Sequence, residues 1–398
     1  MTRSPRGAIL AAPLLAGAVL AGAAGSLAGV CGPFTDVSDA AFCPFVLEIF
    51  TLGITTGTTP TSYDPTSNVT RLQMAAFLSR TVDGVLKRGS RRAALRQFWD
   101  VQNAQNLLLT VTLGAAPSMV EFDGADLWVS LLGGKVGRVR ASDGKLLETW
   151  TGVNDKPNGI ALAMGRVFIA TAGQSNGLTG RLMQIDPAEV AGAATTVATN
   201  LPQFAFGLAF DGGRFWTTNL DGTVSIVTPG ATVPWTVTTT AGGYQIPNGI
   251  LYDGSNVWIT DLLPGTLLKL NASGGVLQTV TVGDGPNLPV FDGSNIWVPN
   301  QGSGPASASV SVVRASSGAV LATLTGNGLT FPVQAAFDGQ RILVTNQSLD
   351  AGVSLWKAAD LTPLGTFPMP ASSLPFGACG DGVNFWITLA SAARLARF

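Results

Sequence analysis

Histidine is absent from all 398 residues, and that gap removes more chemistry than any motif in the chain supplies. Without an imidazole there is no Ser-His-Asp or Cys-His nucleophile system, no His-ligated zinc and no ordinary proton shuttle near neutral pH. Charge is scarce too. Charged residues make up 12%, with 23 basic against 24 acidic and a formal net charge of −1, so neither a nucleic-acid surface nor an acidic tail is implied. Cysteine is confined to Cys31, Cys43 and Cys379. No Walker, dinucleotide or metal-finger motif occurs. After the first 28 residues no stretch reaches the roughly 18 apolar residues that a spanning helix needs.

What the chain has is glycine, 49 residues, with 23 prolines and a repeat. From about Ala115 to Phe398 an apolar strand, an Asp-Gly turn, a strand centred on Trp and two further strands recur. The clearest copies run from Phe122-Asp123-Gly124 to Trp128, Phe210-Asp211-Gly212 to Trp216, Tyr252-Asp253-Gly254 to Trp258, and Phe291-Asp292-Gly293 to Trp297. Worn copies run from Phe337-Asp338-Gly339 to Leu343 and Gly380-Asp381-Gly382 to Trp386, while Gly165 and Phe168 hold the places in a copy that has lost its Asp. The anchors fall roughly 39 to 48 residues apart, the period of four-stranded propeller blades. The expectation is an all-β, seven-bladed β-propeller over residues 107–398.

One repeat parses into an innermost strand Gly249–Tyr252, then Asn256–Asp261, Thr266–Asn271 and an outermost Gly275–Val282, with Asp253-Gly254 and Ser273-Gly274 as positive-φ turns. The last repeat stops at Phe398 after its third strand. Leu107 to Gly114 reads like the outer strands elsewhere and is expected to complete that blade. The repeat resembles the YVTN type of β-propeller, through Ile296-Trp297-Val298-Pro299-Asn300, Val310-Ser311-Val312-Val313 and Ser317-Gly318-Ala319-Val320-Leu321-Ala322-Thr323.

Residues 1–28 have the layout of a secretory signal peptide: Arg3 and Arg6, an apolar run from Ala8 to Ala21, then small residues. Export permits a bridge between Cys31 and Cys43, while Cys379 reads as a buried thiol in an apolar strand. Helical spacing follows over 31–83, with Phe45, Ile49 and Leu52 on one face and Met74, Phe77 and Leu78 on another. A second helix is expected to start at Asn68 or Thr70. Phe34-Thr35-Asp36-Val37, Leu52-Gly53-Ile54-Thr55-Thr56-Gly57, Tyr63-Asp64-Pro65 and Val69-Thr70-Arg71 resemble, in order, the S-layer homology module of bacterial surface proteins. The resemblance implies attachment to a cell-wall or envelope polysaccharide, with Arg71 contacting an acidic substituent. The chain departs from the family twice. Gln73 stands where an acidic residue is usual, and the module occurs once rather than three times. A basic linker, residues 84–106, carries Lys87, Arg88, Arg91, Arg92 and Arg96.

In a propeller the Asp-Gly turns share one face and the loops between blades share the other, beside the channel mouth. That second face supplies the candidate ligand contacts Asn158, Phe204, Tyr244, Asn248, Asn287 and Phe331, joined by Asn300 and Asn346 from the ends of second strands. Amides beside aromatic rings suit a glycan or an extended peptide. These features together describe an exported surface, periplasmic or extracellular protein whose propeller is a non-catalytic binding or structural platform, with no assigned catalytic residue, metal or cofactor. Calcium stays open through Asp, Asn and carbonyl oxygens. Asn158, Asn248 and Asp261 resemble the channel ligands of propeller lactonases, which implies the alternative of a calcium-dependent hydrolase, although no Glu is expected at a suitable inner-strand position. The missing His weighs against propeller lyases of the streptogramin-inactivating type.

Overall fold

The repeats fold as seven antiparallel sheets of four strands each. The computed structural model describes residues 31–39, 41–51, 54–88, 109–153, 156–173, 179–348 and 352–398, in two compact units, Met1–Gln105 and Asn106–Phe398. The leader expected over 1–28 lies outside the described residues. So does most of the basic linker, whose first residues belong to a helix instead.

Blades 1 to 7 have as innermost strands Pro117–Phe122, Pro157–Ala163, Ala205–Phe210, Pro247–Tyr252, Val290–Phe291, Pro332–Phe337 and Pro375–Gly380. In blade 4 the remaining strands are Val257–Asp261, Thr266–Leu270 and Val276–Thr281, within a residue or two of the sequence parse.

The Trp series holds neighbouring blades together. Trp128 packs with Ile160, Val167 and Ile169 of blade 2, Trp216 with Val257 and Ile259 of blade 4, and Trp258 with Ile296 and Val298 of blade 5. Trp297 meets Ile342 and Val344 of blade 6, and Trp386 closes the circle against Val120, Leu127 and Val129 of blade 1. Each of these indoles is buried. A buried indole N–H requires an acceptor, and the Asp of the preceding Asp-Gly turn supplies it. Nε1 of Trp128, Trp216, Trp258, Trp297 and Trp386 donates to Asp123, Asp211, Asp253, Asp292 and Asp381 at 2.7–2.9 Å.

The other oxygen of each carboxylate accepts the backbone N–H groups of the turn, as in Asp253 with Ser255 and Asn256. Burial works against the Asp123 and Asp211 carboxylates, yet these donors hold both below the ordinary carboxylate range. The worn repeats follow the same logic. Blade 2 has Phe168 in place of Trp and Ala163 in place of Asp, so donor and acceptor are lost together. Blade 6 has Leu343 and keeps Asp338, which is satisfied by Arg341 Nε at 2.8 Å.

A second repeated device lies at the bulge near the start of each inner strand. In blades 3, 4, 6 and 7 the bulged N–H of Gly207, Gly249, Gln334 or Gly377 donates to the hydroxyl of Thr218, Thr260, Thr345 or Thr388 on the second strand. Those hydroxyls in turn donate to the next blade, at the carbonyls of Asn248, Asn287, Phe376 and Ser118. Ser130 makes the same link from blade 1 to Asn158. Glycine is needed at several bulges because a Cβ on Gly207, Gly249 or Gly377 would collide with the neighbouring blade.

The final blade is completed as the sequence requires. Strand Leu109–Thr112 pairs antiparallel with Arg394–Arg397, registering Val111 with Leu395, and the Leu113 N–H donates to the Ala393 carbonyl at 3.0 Å. Val111 and Leu113 are buried among Val120, Leu127, Trp386 and Leu395.

Among the described residues the N-terminal unit has two helices, α1 (Cys43–Thr51) and α2 (Arg71–Arg88). Its core is Cys31, Phe34, Val37 and Val46, and Cys31 is bonded to Cys43 across a Cα–Cα separation of 5.4 Å. The apolar helical faces expected from spacing are not that core. Phe45, Met74 and Leu78 are exposed, and it is the Cys31–Val37 segment, turned at Gly32, that supplies the apolar side chains packed with Val46.

Candidate functional site

In the N-terminal unit the phrases that carry the resemblance turn out to hold one another. The Asp36 carboxylate accepts from Ser62 Oγ at 2.6 Å and from the Tyr63 and Asp64 backbone N–H groups at 2.9 and 2.7 Å. The Ser62 hydroxyl and those two amides hold it down at about 2. This ties Phe34-Thr35-Asp36 to Tyr63-Asp64-Pro65, with Tyr63 packed against the buried Phe34 ring. Gly57 must be glycine: its φ is +78°, and a Cβ there would strike Phe34 and the Ser62 carbonyl.

Gln73, which departs from the family pattern, completes a capping box. The Thr70 N–H donates to Gln73 Oε1 at 2.8 Å, and the Gln73 N–H donates to Thr70 Oγ1 at 3.2 Å. The amide does here what a carboxylate would do as a cap. Arg71, the next residue, is exposed at the first position of α2 and makes no hydrogen bond or ion pair with any described residue. Among the described residues nothing occupies its five donors.

The propeller rim is less available than its composition suggests. Asn300 is fully buried, and its Nδ2 donates to Ser309 and Ser311 of its own blade. Asn346 is equally closed off, donating to Ser354 Oγ and accepting from the Thr330 N–H. Tyr244 is buried with its hydroxyl on the Gly274 carbonyl, and burial pushes that phenol up to about 12.

The remaining amides stitch blades. Asn248 Nδ2 donates to Asn287 Oδ1 at 2.8 Å, and Asn287 Nδ2 donates onward to the Pro332 carbonyl. Asn158 Nδ2 donates to the Ala205 carbonyl. The positions are informative. The seams from blade 2 to 3 and from blade 5 to 6 lack a latch hydroxyl because Ala170 and Pro299 stand there, and it is Asn158 and Asn287 that cross them.

Of the rim candidates, Phe204 is exposed, and Asn158 and Phe331 are half-buried. The set proposed as calcium ligands is similarly engaged: Asp261 is buried and accepts the Gln245 and Ile246 N–H groups. Among the described residues no three His, Cys, Asp or Glu side chains cluster as metal ligands would.

A feature the sequence reading missed lies in the channel. The inner strands enclose a cavity of about 570 Å³, and Glu121 of blade 1 lines it. An inner-strand Glu was not expected, yet the signal was present: alignment on the Asp-Gly turns puts Glu121 where other repeats have a small or apolar residue. Burial pushes its carboxyl up to about 7. Gln334 and Cys379 line the same cavity, and burial pushes the Cys379 thiol well up.

Comparison with known proteins agrees with this architecture. Residues 33–75 match the family described as S-layer homology domain. No curated protein matches the chain. Among solved structures, the β-propeller domain of Myceliophthora thermophila Cps50 (Swd1) superposes with a TM-score of 0.57 at 11% identity, covering 73% of this chain and 97% of that one. A streptogramin B lyase structure superposes with a TM-score of 0.57 at 13% identity, covering 73% of this chain and 96% of that one. At such identities the likeness extends to the fold alone. S-layer homology domains bind cell-wall polymers, and among the described residues no helix is long and apolar enough to cross a membrane. The chain therefore carries an S-layer homology domain, the mark of a bacterial cell-surface protein, ahead of a seven-bladed β-propeller.

Proposed function

We propose that this is an exported wall-associated protein in which the S-layer homology domain holds an acidic cell-wall polysaccharide through Arg71, while the propeller serves as a non-catalytic binding platform. The observation that carries the reading is the exposed Arg71 guanidinium, without a partner among the described residues, at the start of a capped helix in a module whose loops are tied by Asp36. A planar fork of donors suits a carboxylate or ketal-acid substituent bidentately. One copy lacks the avidity of linked modules, so attachment is reversible and salt-sensitive. On the propeller, Phe204, Phe331 and Asn158 are the rim residues left for a glycan or peptide.

The test is co-sedimentation of the full chain with purified cell wall, before and after acid extraction of its anionic polymer. Wild type should sediment only with intact wall, and Arg71→Ala should stay in the supernatant with an unchanged melting temperature. Equal sedimentation of the two proteins would remove Arg71 from the role, and no sedimentation of wild type would remove anchoring.

A further inference from the structure

Among the described residues that line the propeller channel, every side chain is apolar except Glu121, Gln334, Cys379 and the hydroxyl of Tyr252, which donates to the Gly254 carbonyl. Strand register shows how unusual the carboxylate is. The residue paired with the Trp position is Glu121 in blade 1, but Ala161, Ala209, Leu251, Val290, Ala336 and Cys379 in blades 2 to 7. Six repeats fill that place without charge, so the blade does not require one.

Glu121 has no hydrogen-bond or ion-pair partner among the described residues, and Gln334 uses its Nε2 on the Ala378 carbonyl while its Oε1 is buried without a donor. One residue beyond the Glu121 level, Phe122, Phe210, Tyr252, Phe291 and Phe337 all line the channel at its Asp-Gly end. The cavity thus offers the unpaired Glu121 carboxylate and a collar of five aromatic rings, with no basic side chain among the described residues that line it.

We propose that the channel is a binding site for a small organic ammonium ion, with Glu121 as counter-ion and the aromatic collar against its hydrocarbon part. An ammonium group brings donors and no acceptor, which matches what the lining lacks. Ring faces attract cations, most strongly where water is excluded. Anions are repelled by Glu121. A hard dication needs six or more oxygens, and a single carboxylate and one amide fall short of that. The inference rests on the propeller being a binding module and is independent of wall attachment.

Protonation provides a second handle. The titratable groups facing this region are Glu121 itself, Cys379, the Tyr252 phenol and, beside the thiol, Asp381. In the free protein the Glu121 carboxyl takes up a proton as pH falls below about 7, and pairing with a cation must expel it. Affinity then falls toward about tenfold per pH unit in acid, with a proton released on binding.

The experiment is calorimetric titration of the full chain at pH 8 and pH 6 with benzylammonium, benzyl alcohol and benzoate, which share one frame and differ in charge. Benzylammonium should bind at least about tenfold more tightly than benzyl alcohol at pH 8, and Glu121→Gln should erase that preference. Gln334→Met, which installs the residue found at the matching place in blade 1, should leave that preference in place and serves as the control for a change in the channel wall. Thermal melts of both variants establish that they fold. The proposal is overturned by equal affinity for the ammonium and the alcohol, by undiminished binding to Glu121→Gln, by preference for benzoate or calcium, or by no binding at millimolar concentration. Wall sedimentation by the same samples separates any of these failures from failure of anchoring.

Discussion

The ring depends on a strand contributed from the far end of its own sequence, and the cost of loosening it can be worked out. Val111 and Leu113 insert from that strand between blades 7 and 1. Replacing buried Leu113 by Ala costs about 2–5 kcal/mol, and trimming Val111 to Ala adds about 1.5 kcal/mol at roughly 0.8 per methylene equivalent. The sum, roughly 4–6 kcal/mol, is a large share of the about 5–15 kcal/mol by which folded domains are stable. In urea, with a slope on the order of 3 kcal/mol per molar, Val111→Ala/Leu113→Ala should lower the midpoint by about 1.5 M.

The assay is equilibrium unfolding of the full chain followed by tryptophan fluorescence, since Trp386 sits in that seam. Val190→Ala, at a residue 91% exposed, is the control and should move little. A double variant that unfolds within about 0.3 M of wild type would refute the idea that this strand carries the closure.

Further outcomes follow from the repeated devices. Asp381→Ala removes the acceptor of the buried Trp386 indole and of the Val383 and Asn384 N–H groups, and should cost roughly 2–4 kcal/mol by chemical denaturation. Thr388→Val strands the Gly377 N–H and Ser118 carbonyl and should cost about 1–3 kcal/mol, whereas Thr388→Ser restores most of it; equal loss in both variants would count against the hydroxyl latch. Glu121 has a folded-state pKa raised from 4.5 to about 7, so its favourable contribution is complete below pH 4.5 and disappears as pH rises through 7. Wild type measured against Glu121→Gln should therefore lose roughly 3 kcal/mol of relative stability from pH 4.5 to 7, and a flat difference would contradict the burial of that carboxyl.

Legibility differed sharply between fold and site. The Asp-Gly turns and the Trp spacing are local and recur, in six and five of the seven blades, and the last repeat visibly lacks a strand, so blade number, strand order and the closing segment could be read directly. The rim could not. Asn158, Asn248 and Asn287 sit in loops where sequence shows an amide but not its partner, and the partner is a backbone carbonyl or amide on the next blade. Phe45, Met74 and Leu78 misled in the opposite sense, since helical spacing marks an apolar face without saying what fills the core beside it.

By itself the sequence determined a circle of seven small sheets, because period-two strands with positive-φ turns every few residues have few other ways to bury a Trp series. It also determined the S-layer homology module, whose phrases are contiguous. Only tertiary structure decided which polar groups are paired: closure of the ring turned most of the rim amides into stitches between blades and set Glu121 in the channel wall, while the fold of the N-terminal unit left Arg71 without a described partner. The physical reason is that pairing of a polar group is settled by neighbours dozens of residues away along the chain, and local pattern carries no record of them.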